Sequence, residues 1–344
     1  MSQSKDQIEC NSLESVNGQW DTWVKSSPQG TPFGLSAFLM VYCKVLKLRV
    51  DIWTIERNGN WIAALPILYY TRFGAKTNHG IPLMPYLPIM FAPNLFNSTY
   101  PSSNTALYLK LTQLLNDILV TRYSSISLSL LPGTMDVRPW IWDRWKLQTN
   151  YTYILDLKDQ PRFTHAVRKQ VRKAEESGVL LDKCWDINMH CELLDSTRRR
   201  QGIWIGLDQE PFKEIATYLY NNGLATMATA RTSEGLPLAS RIELIAPESG
   251  IAYDWTAGTN SEWLALGGSS WLIVQIYNYF IKTNIIKWNL CGASYETVAR
   301  FKAEFGGELH LQFYVQSPRK PISIIYEEGR NIGSKIIRGC GWKR

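Results

Sequence analysis

Lys302 is the residue of this 344-residue chain whose setting most suggests chemistry. It stands beside Phe301 in the run Arg300-Phe301-Lys302-Ala303-Glu304-Phe305-Gly306-Gly307, after an apolar, strand-like stretch over 285–290 and a turn over 291–294. The pattern reads as a strand, a glycine turn and a short helix that stops at a double glycine, where positive φ costs nothing. Open α/β sheets bind ligands where strands meet the helices that follow them. A lysine there can neutralise charge on a substrate or on a developing oxyanion. The same lysine also fits an ordinary solvated helix face.

A second candidate lies upstream. Gly267-Gly268-Ser269-Ser270 opens a helix expected over 271–282. Free backbone N–H groups at that positive helix end suit a pyrophosphate or another anion, although serines cap helices without any ligand as well. The segment is neither a Walker A loop nor a Gly-x-Gly-x-x-Gly fingerprint, which argues against an ATPase or a dinucleotide enzyme. Tyr253 ends a strand near the same sheet edge, where it can relay a proton or simply pack. Arg168 and Arg172, with Lys169 and Lys173, form two cationic rows on a helix over 164–177. They make either a ledge for a phosphate-rich ligand or a solvated face balanced by Glu175 and Glu176. Of Arg198-Arg199-Arg200, one or two at most can converge on one ligand, and Arg200 is the candidate substrate contact. No Gly-x-Ser-x-Gly elbow and no Cys–His pair appears, and His79 is a turn residue first and a catalytic candidate second. Direct transfer in a ternary complex is therefore expected, without a covalent enzyme intermediate.

Composition bounds the rest. Hydrophobic residues make up 45% of the chain, with 14 Trp and 17 Tyr, enough to fill two cores and to argue against disorder. A net charge of +7 favours an anionic partner such as a phosphate-bearing ligand, RNA or the inner membrane surface. No apolar run of ~18 residues appears, so no transmembrane span is expected. The N-terminus has no secretory pattern, so a cytoplasmic location is expected, with peripheral association at the inner membrane left open. Cys10, Cys43, Cys184, Cys191, Cys291 and Cys340 lack zinc spacing, and neither a metal site nor disulfides are expected.

The elements that must hold these residues repeat. In the first half, a helix over 35–46 leads to a strand over 50–55, the Asn58-Gly59 turn and a returning strand over 61–70. In the second, a helix over 211–220 leads to strands over 224–231 and 236–245 around Ser233-Glu234-Gly235, and a strand over 250–257 extends the meander. Between the halves, the proline-rich segment 81–94 reads as an ordered loop or edge. A helix over 106–120 and a buried strand over 126–131 follow it. The repeat is consistent with a duplicated α/β domain, or with two unrelated helix–hairpin units.

Taken in order, the strand over 152–157, the basic helix ending at Gly178, the Tyr253 strand, the small-residue helix entrance and Phe301-Lys302-x-x-Phe305-Gly306-Gly307 resemble the second half of FemABX-type peptidyltransferases and BioF-like acetyltransferase domains of the GNAT superfamily. Thr31-Pro32-Phe33, the Asn58-Gly59 hairpin and the proline-rich loop fit the first half. The resemblance covers most of residues 20–316. It implies an α/β (α+β) fold of two tandem GNAT-like domains, 1–150 and 151–344, each a mixed, largely antiparallel sheet flanked by helices. It implies an acyltransferase without a metal, in a cell-envelope context. The acyl donor is acyl-CoA, such as acetyl-CoA, or an aminoacyl-tRNA. The acceptor is an amine on a small molecule, a polysaccharide precursor or another envelope precursor, a peptidoglycan precursor in the Fem-like case. Lys302 and Phe301 then take the place of the family's phenylalanine–lysine pair, Tyr253 that of its tyrosine, and Gly267 to Ser270 the donor phosphate. The segment 206–212 departs from the Fem-type pattern, lacking the arginine and tyrosine expected for the acceptor's diphosphate, and the stretch after Gly178 has no room for a long helical arm. A GNAT scaffold that has lost catalysis and grips an anionic partner is the other reading.

Overall fold

The computed structural model describes residues 6–318 except 17, 73, 79–80, 203–205 and 247; His79 therefore lies outside the described residues. The N-terminal lobe runs β1 (Gln7–Asn11), α1 (Gln19–Ser26), α2 (Ser36–Leu46), β2 (Arg49–Arg57), β3 (Asn60–Arg72), β4 (Ala75–Thr77), β5 (Met90–Phe91) and α3 (Pro101–Arg122). β6 (Ser127–Ser129) and α4 (Arg138–Trp142) follow on the N-terminal side, and the C-terminal lobe contains β7 (Lys146–Asp156), α5 (His165–Glu176), β8 (Leu180–Asp182), α6 (Ile187–Gln201), α7 (Gln209–Asn221), β9 (Ala225–Arg231), β10 (Pro237–Ala246) and β11 (Ile251–Thr259). It is completed by α8 (Gly268–Phe280), β12 (Lys287–Asn289), α9 (Glu296–Ala303) and β13 (Glu308–Gln316).

The small sheet has the order β1-β2-β3-β4, with β5 on β3; the large one has the order β6-β13-β7-β12-β11-β10-β9-β8. Pairing between these strands is antiparallel throughout except for β11 with β12. The repeated grammar is present: α2, β2, turn, β3 in one half and α7, β9, turn, β10 in the other. Asn58 and Gly59 both take positive φ, which a two-residue type I′ hairpin loop requires. The proline-rich segment supplies only the two residues of β5, an edge pairing, because its prolines cannot donate to a ladder.

Three apolar clusters hold these layers. One fills the N-terminal lobe between β2, β3 and α3. Another lies under α5 and α8, around Trp271, Leu272 and Trp288. The third joins the lobes: Trp20, Phe38 and Tyr42 on one side meet Phe212, Ile242 and Trp255 on the other. That shared core fixes the lobes against each other and sets the loop 81–85 beside the large sheet. Trp255 Nε1 donates to the Leu83 carbonyl at 2.8 Å, and Tyr42 Oη donates to the Pro82 carbonyl at 3.1 Å. Among the described residues no helix is long and apolar enough to cross a membrane.

Candidate functional site

Strands β11 and β12 pair only over Ile251 to Tyr253 and Lys287 to Asn289. Beyond that point β11 runs on while the chain after β12 turns away, so one backbone edge of β11 loses its partner strand until Thr259, whose N–H and carbonyl pair with Thr197 Oγ1. Cys291 and Gly292 both adopt left-handed φ, 47° and 51°, and make that turn. For Cys291 the conformation costs about 1–2 kcal/mol. The divergence opens a cavity of about 880 Å³, walled by β11, the starts of α5 and α8, the ends of α6 and α9, and the loop 81–85.

Lys302 is half-buried in this wall. Its ammonium donates to the carbonyls of Leu290, Cys291 and Gly292, the last at 3.1 Å. The left-handed turn presents three carbonyl oxygens, and one lysine with three donors satisfies them. Burial pulls Lys302 below its ordinary value, and the charge of Asp254 acts against that pull. Phe301 lines the cavity beside it and packs edge-on against Phe305, with ring centroids 5.1 Å apart.

Gly267, Gly268, Ser269 and Ser270 line the same cavity and begin α8, which no side chain caps. Their small size has a packing cause. A Cβ on Gly267 would stand 2.5 Å from the Gln170 carbonyl oxygen, and one on Gly268 would stand 2.8 Å from Leu238 Cβ. The glycines thus let α8 start close against α5 and β10, at the wall of the cavity. Arg200 reaches the cavity from the end of α6, together with Arg198, which pairs with Asp195 at 2.8 Å.

Arg168 and Arg172 lie elsewhere. α5 buries Val167 and Ala174 and turns Ala166 and Gln170 to the cavity, so Arg168 and Arg172 project from its exposed side. Tyr253 is not at the cavity either. Alternation along β11 points it into the inter-lobe core, edge-on to Phe33 and near Tyr86, and burial keeps its phenol protonated. Its neighbour Asp254 faces the cavity instead.

Three functional candidates escaped the sequence reading: Arg241, Glu243 and Asp254. Arg241 and Asp254 form an ion pair in the cavity wall with side chains only 4% and 3% exposed. Their available signal was two charges, at 241 and 243, in an otherwise apolar strand. A β-bulge helps to place them: Ile242 faces Thr256 and Glu243 faces Asp254, which leaves Trp255 as the extra residue. Burial pushes the Cys291 thiol far up, which disfavours its thiolate. No cluster of three or more potential metal ligands occurs among the described residues.

No protein-family model matches the sequence, and no curated protein matches it. Solved structures do. FemX matches with a TM-score of 0.64 at 14% identity, over 89% of this chain and 96% of that one. The structure of L-PGS from Bacillus licheniformis matches with a TM-score of 0.52 at 12% identity, over 83% and 90%. A tandem GNAT protein from the clavulanic acid biosynthesis pathway matches with a TM-score of 0.51 at 11% identity, over 92% and 99%. The chain thus shares the fold of these structures, a tandem GNAT fold of the kind seen in FemX.

Proposed function

We propose that this chain is an N-acyltransferase that moves an acetyl or other acyl group from acyl-CoA to an amine, on a cell-envelope or polysaccharide precursor. One observation carries the reading: the uncapped start of α8, the unpaired edge of β11 and Lys302 all face one cavity. The N–H groups at Gly268 to Ser270 suit the donor's pyrophosphate. The open backbone edge of β11 suits an extended, amide-bearing arm, which can pair with it as an added strand. Acyl-CoA supplies the reactive thioester. Lys302 supplies positive charge beside the reacting carbonyl, and Phe301 shapes the floor. In this reading the C-terminal unit, residues 151–344, carries the donor site, and the N-terminal unit, 1–150, closes the cavity through the loop 81–85.

The exposed cations of α5 favour a second donor, an aminoacyl-tRNA. Arg168, Lys169, Arg172 and Lys173 sit on the helix whose Ala166 and Gln170 line the cavity, so a nucleic-acid backbone on that face would bring its acylated end near Lys302. Transfer assays with acetyl-CoA and with charged tRNA, each over a panel of amines including a peptidoglycan precursor, separate the two. The acyl-CoA reading expects turnover with acetyl-CoA that an Arg168→Ala/Arg172→Ala variant retains. Turnover with charged tRNA alone, lost in that variant, selects the other donor. Activity with neither leaves a scaffold that binds an anionic partner.

A further inference from the structure

Glu243 and Asp254 are register partners on β10 and β11, so both side chains leave the sheet on one face. Each uses one oxygen. Asp254 Oδ2 accepts from Arg241 Nη1, and Glu243 Oε2 accepts from Trp288 Nε1 at 2.8 Å. The other two oxygens, Asp254 Oδ1 and Glu243 Oε1, are buried and have no hydrogen-bond partner. Buried polar atoms are nearly always paired, so two orphans on adjacent carboxyls need a cause. A proton held between them is the simplest one, because two neighbouring buried carboxylates do not both stay ionised at tolerable cost.

The two groups also open onto different spaces. Asp254 lines the large cavity, whereas Glu243 lines a separate cavity of about 110 Å³ with Lys183, Gln275 and Tyr279. We propose that Glu243 and Asp254 share one proton and relay the proton released by acyl transfer from the large cavity to the small one. The relay rests on the acyl-transfer reading above. In the balanced step the acceptor arrives as an ammonium and gives one proton to Asp254. The neutral nitrogen attacks the acyl carbon, the C–N bond forms, the C–S bond breaks, and the leaving thiolate takes the second proton from nitrogen. The carboxyl pair, now carrying two protons, returns to one by release from Glu243 towards the small cavity.

The groups around Glu243 fit this role. Burial first, then the charge of Asp254, raise its carboxyl well above the ordinary range, while Arg241, the Trp288 hydrogen bond and Lys302 act in the opposite direction. Lys183, Tyr220 and Tyr279 face it across the small cavity.

Infrared spectra of the whole protein at pH 7 test the shared proton without substrate. The wild type is expected to show the carbonyl band of a protonated, buried carboxyl, absent in Glu243→Gln and shifted in Asp254→Asn. Glutamine keeps the shape and the bond to Trp288, so the variant is expected to fold. With acetyl-CoA and an amine that the wild type acetylates, Glu243→Gln is expected to lower kcat about 100-fold with KM for acetyl-CoA unchanged. A wild type without the band, or a Glu243→Gln enzyme within twofold of wild-type kcat, overturns the proposal. A wild type that acetylates no amine counts against the acyl-transfer reading, and the band then still decides whether the pair shares a proton.

Discussion

Each lobe holds a cavity beside the start of a long helix, yet the two are built of different chemistry. The N-terminal one, about 500 Å³, is lined by Phe91 of β5, Asn104 and Tyr108 of α3, and the chain after β6. No lysine or arginine lines it among the described residues. The C-terminal cavity has Lys302, Arg200 and the Arg241–Asp254 pair. Their polar clusters differ in the same way. In the N-terminal lobe Asp51 spends both oxygens, accepting from Tyr69 at 3.0 Å and from Tyr123 at 2.6 Å, with Lys76 at 3.2 Å. In the C-terminal lobe Asp254 and Glu243 each keep an oxygen unpaired. A satisfied carboxylate reports a structural joint, and an unsatisfied buried one marks a place where the fold gives up stability for a task. By that measure the two lobes differ in equipment, and our proposal places the anionic donor in the C-terminal one.

The sharpest way to break this contrast is to remove one polar group from each cavity. Lys302→Met takes away the positive charge beside the reacting carbonyl and is expected to lower kcat/KM for acyl transfer by about 100-fold, the order seen when electrostatic stabilisation of a developing oxyanion is lost. Tyr108→Phe, which removes only the 2.8 Å bond to the Asp136 carbonyl, is expected to stay within twofold. Steady-state kinetics on both variants decides it. Next in size is stability. Arg241→Met strands Asp254 in the wall and is expected to cost about 3–5 kcal/mol in denaturant unfolding. Tyr69→Phe leaves Asp51 with Tyr123 and Lys76 and is expected to cost about 1 kcal/mol.

Acid sharpens the contrast further. His190 is buried under the large sheet, its ring nitrogens 2.8 Å from Ser240 Oγ and 3.0 Å from Thr256 Oγ1, and burial drives its value down to about 3. Below pH 6.5 the unfolded chain binds a proton that the folded one refuses, so stability falls as pH falls. The slope is about 1.4 kcal/mol per pH unit, or about 2 kcal/mol at pH 5, flattening near pH 3. Hydrogen exchange at pH 5 is expected to show α6, β10 and β11 losing protection before β2 and β3. The smallest effect concerns glycine. Gly133→Ala, at the N-terminal cavity with open space around it, is expected to cost about 1 kcal/mol for its positive φ alone. Gly267→Ala adds the collision with the Gln170 carbonyl and is expected to cost more, read as a larger drop in Tm.

Sequence signals of punctuation proved reliable. The helix starts at Gly267 and Gly268 and the turn at Gly292 stand where glycine and serine announce them, and Lys302 lies on the short helix its neighbours imply. The helix–hairpin grammar likewise stands in both lobes, as α2-β2-β3 and α7-β9-β10. Sidedness was not legible. Tyr253 and Asp254 alternate on one strand, and which of them meets the cavity depends on the bulge at Trp255 and on the lobe packed behind it. Arg168 and Arg172 form a regular basic row, but the row's direction is set by Val167 and Ala174, the residues α5 buries. The buried pair of Arg241 and Asp254 needs two strands in register, information that no single segment carries.

The central claim is that the start of α8 holds the donor's phosphates, and Ser269→Glu tests it most directly. An acidic residue in the first turn favours a helix by itself, so folding is expected to be undisturbed or slightly improved, while a bound anion is repelled. Calorimetric titration of CoA into wild-type and Ser269→Glu protein at equal ionic strength is expected to show at least about tenfold weaker binding in the variant, with Tm unchanged or raised. Equal affinity in the two proteins would contradict the account.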